Sequence, residues 1–324
     1  MKKVNTFIII ICSLAIALFI WYMSSGVDRD VVYYNTLVTY KNVEYKNVGG
    51  EKLVLDILMP ATVEHDEIPV VFYVHGGDFV EGDKTDLTKG IRRDVTTEIL
   101  SEGYAIITIN YRLLDEDTHF PENIADIKDA IRYIRSVSDE YNFDTNNFGI
   151  WGNSSGGYLA LTVGYSSDGD YGGDIDLLEY SSVVNYVIDF SGITQVSSIR
   201  DVNSMSNEEV LEAQNELDIL YGQGMDIYNL TPSDFAEMGL YDPIEEIDVD
   251  TVPTFIMHGL DDDVVDISQS FILVYELQQE GLAYQYEEIV GGNNLFSDLA
   301  ESEVENIIYY VMHFIKTYYV EPTE

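Results

Sequence analysis

Cysteine is nearly missing from this 324-residue chain: the single one is Cys12. Beyond the N-terminal apolar stretch that holds it, a disulfide framework, a thiol nucleophile and a cysteine-ligated metal are all excluded. Proline is scarce, at 7 residues, and no Pro/Ser/Gly-rich linker divides the chain. Positive charge is short as well: 16 Lys plus Arg face 58 Asp plus Glu, a net charge of −42 at pH 7. Such a chain offers phosphate no basic surface, which excludes nucleic acid as a partner and argues against docking on anionic headgroups. No D-x-[DN]-x-[DN]-G calcium loop occurs, and neither a metal nor an organic cofactor is implied. Hydrophobic residues make up 46% and aromatics 12%, enough for a large core in one large α/β domain or two small ones.

The N-terminus opens Met-Lys-Lys and is then apolar from Phe7 to Met23. As a helix this run would span roughly 26 Å, just short of a hydrocarbon core. The lysines place its start in the cytoplasm, and Trp21 and Tyr22 suit the far interface. Residues 1–26 are therefore expected to be an uncleaved signal-anchor, or a signal peptide cleaved near Ser24 and Gly26. Either way residues 27–324 are expected outside the cytoplasmic membrane, anchored to it or secreted, with the N-terminal segment as the only membrane contact. That part holds 14 Lys plus Arg against 58 Asp plus Glu, hence −44, a charge that favours solubility and resists self-association.

Along the exported part, Val31 to Leu58 alternates like antiparallel strands around a Gly49-Gly50 turn. Continuous apolar runs at 69–74 and 105–109 fit buried strands, as do 148–151, 183–190, 252–257 and 283–289. Helices are predicted at about 86–101, at 122–138 from Ile124, Ile127, Ile131 and Ile134, after Gly157, near 267–279 and near 298–318. Alternation of strands and helices predicts an α/β fold with a mostly parallel sheet covered by helices on both faces. Residues 192–245 break the alternation with an acidic helix around Asn207 to Leu220, and are expected to be a small cap insertion over the C-terminal edge of the sheet.

Gly152-Asn153-Ser154-Ser155-Gly156 fits G-x-S-x-G between a buried strand and a helix, where a sharp turn exposes the central hydroxyl. The Ser155 amide, at the helix N-terminus, can face a developing oxyanion. His75-Gly76-Gly77-Asp78-Phe79 follows a buried strand about 75 residues earlier, and its glycines let backbone amides approach a substrate oxygen. His75 itself is expected to hold the loop.

These segments resemble the α/β-hydrolases, in particular the hormone-sensitive-lipase-like and feruloyl-esterase-like carboxylesterases. HGGDF (75–79), NYRL (110–113), HFPENIADIKDAIRYIR (119–135), WGNSSGGYLA (151–160) and MHGLDDDVVD (257–266) stand in the family's order over about residues 45–318. The resemblance implies the α/β-hydrolase fold and hydrolysis of a small-molecule or carbohydrate ester. It assigns Ser154 as nucleophile, the backbone of Gly76, Gly77 and Ser155 as oxyanion hole, and Asp262 as the triad acid, with Asp261 and Asp263 as neighbouring alternatives. The family's last triad member is a histidine in a loop after the final strand. Here that loop is Gly291-Gly292-Asn293-Asn294-Leu295-Phe296, and Asn294 stands at the expected histidine position. A carboxamide does not accept a proton near pH 7, so turnover is expected to be weak or lost. Of the five histidines, His119 in the loop before Phe120-Pro121 is the one candidate substitute base. The alternative function is a pseudoenzyme that binds a ligand or partner in the retained cleft. Oligomeric state is left open.

Overall fold

The computed structural model describes residues 39–63, 65–196, 206–222 and 224–321. The expected N-terminal membrane segment lies outside the described residues. Among the described residues no helix is long and apolar enough to cross a membrane.

Eight strands form one sheet: β1 Thr39–Val48, β2 Glu51–Leu58, β3 Ile68–Val74, β4 Ala105–Ile109, β5 Phe143–Asn153, β6 Tyr186–Phe190, β7 Thr254–Gly259 and β8 Tyr284–Ile289. Their spatial order is β1-β2-β4-β3-β5-β6-β7-β8. β2 pairs antiparallel with β1 and β4, and every later pair is parallel. The β1–β2 hairpin turns on Gly49 and Gly50, both at positive φ (61° and 100°), the conformation that a two-residue hairpin turn requires. β3, β4 and β6 are buried along their whole length. Such strands need helices on both faces, and that explains why they are continuously apolar instead of alternating.

Among the described residues seven helices of two turns or more accompany them: α1 Gly90–Ser101, α2 Glu122–Ser136, α3 Ser155–Tyr165, α4 Asn207–Tyr221, α5 Pro232–Gly239, α6 Ser268–Gln279 and α7 Glu301–Thr317. In α2 the isoleucines at 124, 127, 131 and 134 are wholly buried on one stripe. Each such side chain contributes about 1.5–3 kcal/mol by leaving water. α3 is apolar all round and buried nearly throughout, because it lies inside the molecule against β5 and β6. Within the expected insertion, α4 and α5 share a small core of Val210, Leu217, Met225, Ile227 and Met238. The insertion meets the α/β body where the Phe120 amide donates to the Leu220 carbonyl (2.9 Å) and the Tyr158 hydroxyl to the Tyr241 carbonyl (2.6 Å).

Several element ends differ from the pattern in the sequence, each for a local reason. The helix expected from Asp86 starts at Gly90, because Asp83 caps a separate 3-10 turn at Lys84–Thr88 and Gly90 has φ 54°. The last helix starts at Glu301 instead of 298, since Phe296 and Asp298 are left-handed (φ 51° and 60°). β6 starts at Tyr186 instead of Val183. The preceding stretch is held as a turn, with Asp168 accepting from the Ser182 amide and hydroxyl, and Arg135 binding the carbonyls of Ser181 and Val183.

Candidate active site

β5 ends in a turn built by exclusion. Ser154 has φ 54° and ψ −128°, a strained conformation for a residue with a side chain. A Cβ on Gly152 would lie 2.0 Å from the Gly156 carbonyl oxygen, and one on Gly156 would lie 2.4 Å from the Val74 oxygen. Only glycine lets strand, turn and helix approach this closely. The Ser154 amide donates to the Phe190 carbonyl (2.9 Å), tying the turn to the end of β6. The Asn153 side chain accepts from the Tyr73 hydroxyl (2.8 Å), tying it to β3. Ser154 is 5% exposed. No described residue hydrogen-bonds to its hydroxyl through a side chain.

The His75–Phe79 loop lies directly beside this turn. A Cβ on Gly76 would stand 3.4 Å from the Ser154 Cβ. Gly77 (φ 121°), Asp78 (φ 51°) and Phe79 (φ 67°) all have positive φ, and the Gly77 carbonyl accepts from the Val80 and Glu81 amides. The amides of Gly76, Gly77 and Ser155 donate to no described loop or turn carbonyl. Ser155 is the first residue of α3, whose opening amides have no intrahelical acceptor. Gly76 thus adjoins the Ser154 side chain, Gly77 follows it in the same loop, and Ser155 follows Ser154 in the chain. His75 is a structural member of the loop. Its ring stacks on Tyr111 (centroids 4.4 Å apart), its Nδ1 donates to the Gly76 carbonyl (2.8 Å), and burial lowers its pKa.

The loops after β7 and β8 are laced together. The Asp261 amide donates to the Gly292 carbonyl (2.9 Å) and the Leu260 amide to the Ile289 carbonyl (3.0 Å). Asp261 and Asp263 point to solvent. The Asp262 side chain is enclosed: its Oδ1 accepts from the amides of Val264 (3.0 Å) and Val265 (2.9 Å), and its Oδ2 from Asn294 Nδ2 (3.0 Å). Asn294 is 7% exposed. His258 is fully buried behind the acid. Its Nε2 donates to the Val265 carbonyl (2.9 Å) and stands 3.5 Å from Asp262 Oδ2, and its Nδ1 meets the Ser270 hydroxyl (2.7 Å). Both ring nitrogens are engaged away from Ser154.

The end of β6 joins these pieces, which sequence reasoning missed. Phe190 accepts the Ser154 amide, the next residue's amide donates to Met257 at the end of β7 (2.8 Å), and the Phe190 ring packs edge-on against Phe296 of the Asn294 loop (5.7 Å). Adjacent strands are about 4.8 Å apart, so the ends of β5 and β7 stand roughly 10 Å from each other, a gap that side chains bridge. The candidate substitute base, His119, lies in the loop before α2. Its Nδ1 donates to the Ile219 carbonyl of α4 (2.9 Å) and its amide to Glu122 (2.7 Å), so it fastens the insertion to the start of α2.

Comparison with known proteins agrees with this arrangement. The BD-FAE family model matches residues 55–277. Among curated proteins, "Probable carboxylic ester hydrolase LipM" of Mycobacterium tuberculosis is 24% identical over 65% of this chain and 45% of its own length. A non-reducing polyketide synthase of Stachybotrys bisbyi is 21% identical over 84% of this chain, but over only 14% of its own length. The chain therefore spans less than half of these relatives. A truncated carbohydrate esterase from gut microbiota superposes with a TM-score of 0.68 at 24% identity, covering 87% of this chain and 98% of the other. A butyrate-bound esterase of Thermogutta terrifontis gives 0.68 at 18% identity, covering 90% and 97%. With its strand order, its strained serine turn and this family match, the chain belongs to the BD-FAE family and has the α/β-hydrolase fold.

Proposed function

We propose that this protein is an exported acyl-ester hydrolase scaffold whose turnover is weak because its general base is missing. Ser154 Oγ would attack the acyl carbonyl, and the amides of Gly76, Gly77 and Ser155 would hold the resulting oxyanion. The alcohol would then leave, and water would release the acid from the Ser154 ester. Both halves need a group that takes a proton from the attacking oxygen. The observation that carries the proposal is the hydrogen bond from Asn294 Nδ2 to Asp262 Oδ2, which supports reading Asp262 as the acid and Asn294 as an amide where the base would stand. Its remaining oxygen can accept a hydrogen bond but does not take up a proton near neutral pH. Loss of such a base in a serine hydrolase costs roughly 10⁶-fold in turnover.

The carbohydrate esterase among the structural neighbours supports an ester carried on a sugar as the substrate class. The second function is a cleft that binds an ester without consuming it, which the same Asn294 favours. The apolar segment Phe7 to Met23 supports placing residues 27–324 outside the cytoplasmic membrane, anchored or released. The test is hydrolysis of p-nitrophenyl butyrate by the purified chain beside Ser154→Ala. Wild-type turnover close to that of Ser154→Ala is expected. Robust wild-type turnover abolished by His119→Ala would overturn the proposal.

A further inference from the structure

Asp189 is a carboxyl buried behind the serine turn that the proposed chemistry does not use. It lies near the C-terminal end of β6, in register with Gly152 of β5 and Ile256 of β7, and is 0% exposed. Two glycines make room for it. A Cβ on Gly157, in the first turn of α3, would lie 2.3 Å from Asp189 Oδ1, and one on Gly192 would lie 2.0 Å from the same atom. Neither carboxyl oxygen has a partner in hydrogen-bonding geometry among the described residues, and the neighbouring Ser191 hydroxyl has none either. The residue after Asp189 accepts the Ser154 amide, so any shift of this strand end is transmitted to the serine.

We infer that Asp189 is a positioning residue for the Ser154 turn: its uncharged carboxyl packs without a hydrogen bond in the gap that Gly157 and Gly192 leave between the first turn of α3 and the end of β6, and deprotonation loosens that turn. A charge enclosed there has no counter-ion, and the strain is relieved by admitting water between the carboxyl and a glycine backbone. The Gly192 amide is the one group that steadies the negative form. From α3, the Tyr165 phenol is the titratable group that couples to Asp189, and it is itself bound to the Thr254 hydroxyl (2.7 Å). β5 and β7 present no titratable group in register, and no charged side chain of the described residues offsets the buried carboxylate. Burial pushes its pKa up to about 8, so the carboxyl is mostly protonated at neutral pH.

The inference rests on the proposed role of Ser154 only where it touches turnover, so two readouts are used. The first is amide hydrogen exchange by mass spectrometry on the peptide spanning the serine turn, from pH 6.5 to 9, corrected for the chemical rate. In the wild-type chain protection should fall by about tenfold by pH 9, one unit above the carboxyl's midpoint. In Asp189→Asn, which keeps the shape without the charge, protection should stay level. Asp189→Ala, which leaves a void, should lower it at every pH. The second readout is kcat against pH for Asn294→His with and without Asp189→Asn. The single variant should lose about tenfold by pH 9 and the double variant should not. Identical pH courses in wild type and Asp189→Asn, or an alkaline loss of kcat that survives in the double variant, overturn the inference. Should Asn294→His be inactive while the exchange difference is present, the missing-base proposal fails and the positioning role stands.

Discussion

Asp126 is expected to be among the most costly residues in the molecule to neutralise. It is wholly buried on α2 and receives two cations. Lys46 of β1 donates to its Oδ1 at 2.7 Å, and Arg112 donates Nε to Oδ2 at 2.7 Å and Nη2 to Oδ1 at 2.9 Å. Lys46 also reaches the buried Asp129 (2.7 Å), which in turn holds Arg132 (3.1 Å) and the Asp174 amide (2.8 Å). One carboxylate thus joins the antiparallel edge of the sheet, the loop after β4 and α2. At an effective dielectric of 20, a unit pair about 4 Å apart is worth about 4 kcal/mol before desolvation. Breaking a buried pair by removing one partner costs about 3–5 kcal/mol, because the other charge is left enclosed. Asp126→Asn keeps the volume but turns an NH₂ group toward Lys46 or Arg112, so the full cost applies. Against a typical total of about 5–15 kcal/mol, that is a third or more of the stability. Urea unfolding followed by fluorescence of the buried Trp151 should show a large drop in midpoint with little change of slope. The exposed Lys52–Glu44 pair is the control, and Lys52→Ala should leave the midpoint in place. A loss below about 1 kcal/mol for Asp126→Asn would refute the reasoning.

Three further outcomes are expected. Gly156→Ala should destabilise the fold by about 1–3 kcal/mol or more, because the methyl meets the backbone oxygens of Val74 and His75, whereas Gly239→Ala, with open space around it, should be neutral or stabilising in thermal melts. His119→Ala should weaken the seating of the insertion, since its Nδ1 donates to the Ile219 carbonyl, and amide exchange in α4 should quicken; unchanged exchange there would contradict this. Asp189 has a folded pKa raised by burial from 3.8 to about 8. Its contribution is fully present below pH 3.8 and is lost as pH rises through about 8, a change on the order of 5 kcal/mol. Asp189→Asn should flatten the fall in stability between pH 4 and 8, and an unchanged pH–stability curve would count against a buried, uncharged acid.

Much of the architecture was legible in the chain because its signals are local. Continuous apolar runs flanked by Gly-rich turns marked β3, β4 and β5, and three-and-four spacing of isoleucine marked α2. The serine turn at Ser154 and the Gly76-Gly77 loop beside it were legible because such turns dictate glycine at fixed positions, whereas Asp262 and Asn294 were singled out by the family resemblance. The described structure then distinguishes Asp262 from Asp261 and Asp263 by the single hydrogen bond to Asn294. What the sequence concealed depends on contacts between distant segments. Lys46 and Asp126 are 80 residues apart, and nothing in either neighbourhood announces their pairing. Asp189 looked like any polar residue at a strand end, and only the glycines at 157 and 192 show that it is enclosed. The helix start at 301 was misplaced because the left-handed Phe296 and Asp298 carry no strong mark in the sequence, and that at 90 because the 3-10 turn capped by Asp83 reads as part of the helix.

The most direct measurement of the central claim is kcat/KM on p-nitrophenyl butyrate for Asn294→His, compared with wild type and with the Ser154→Ala, Asn294→His double variant. An imidazole at this position would donate Nδ1–H to Asp262 and present Nε2 to the Ser154 hydroxyl. The account predicts a gain of several orders of magnitude that the Ser154→Ala change abolishes. Wild-type turnover already equal to that of Asn294→His would contradict it.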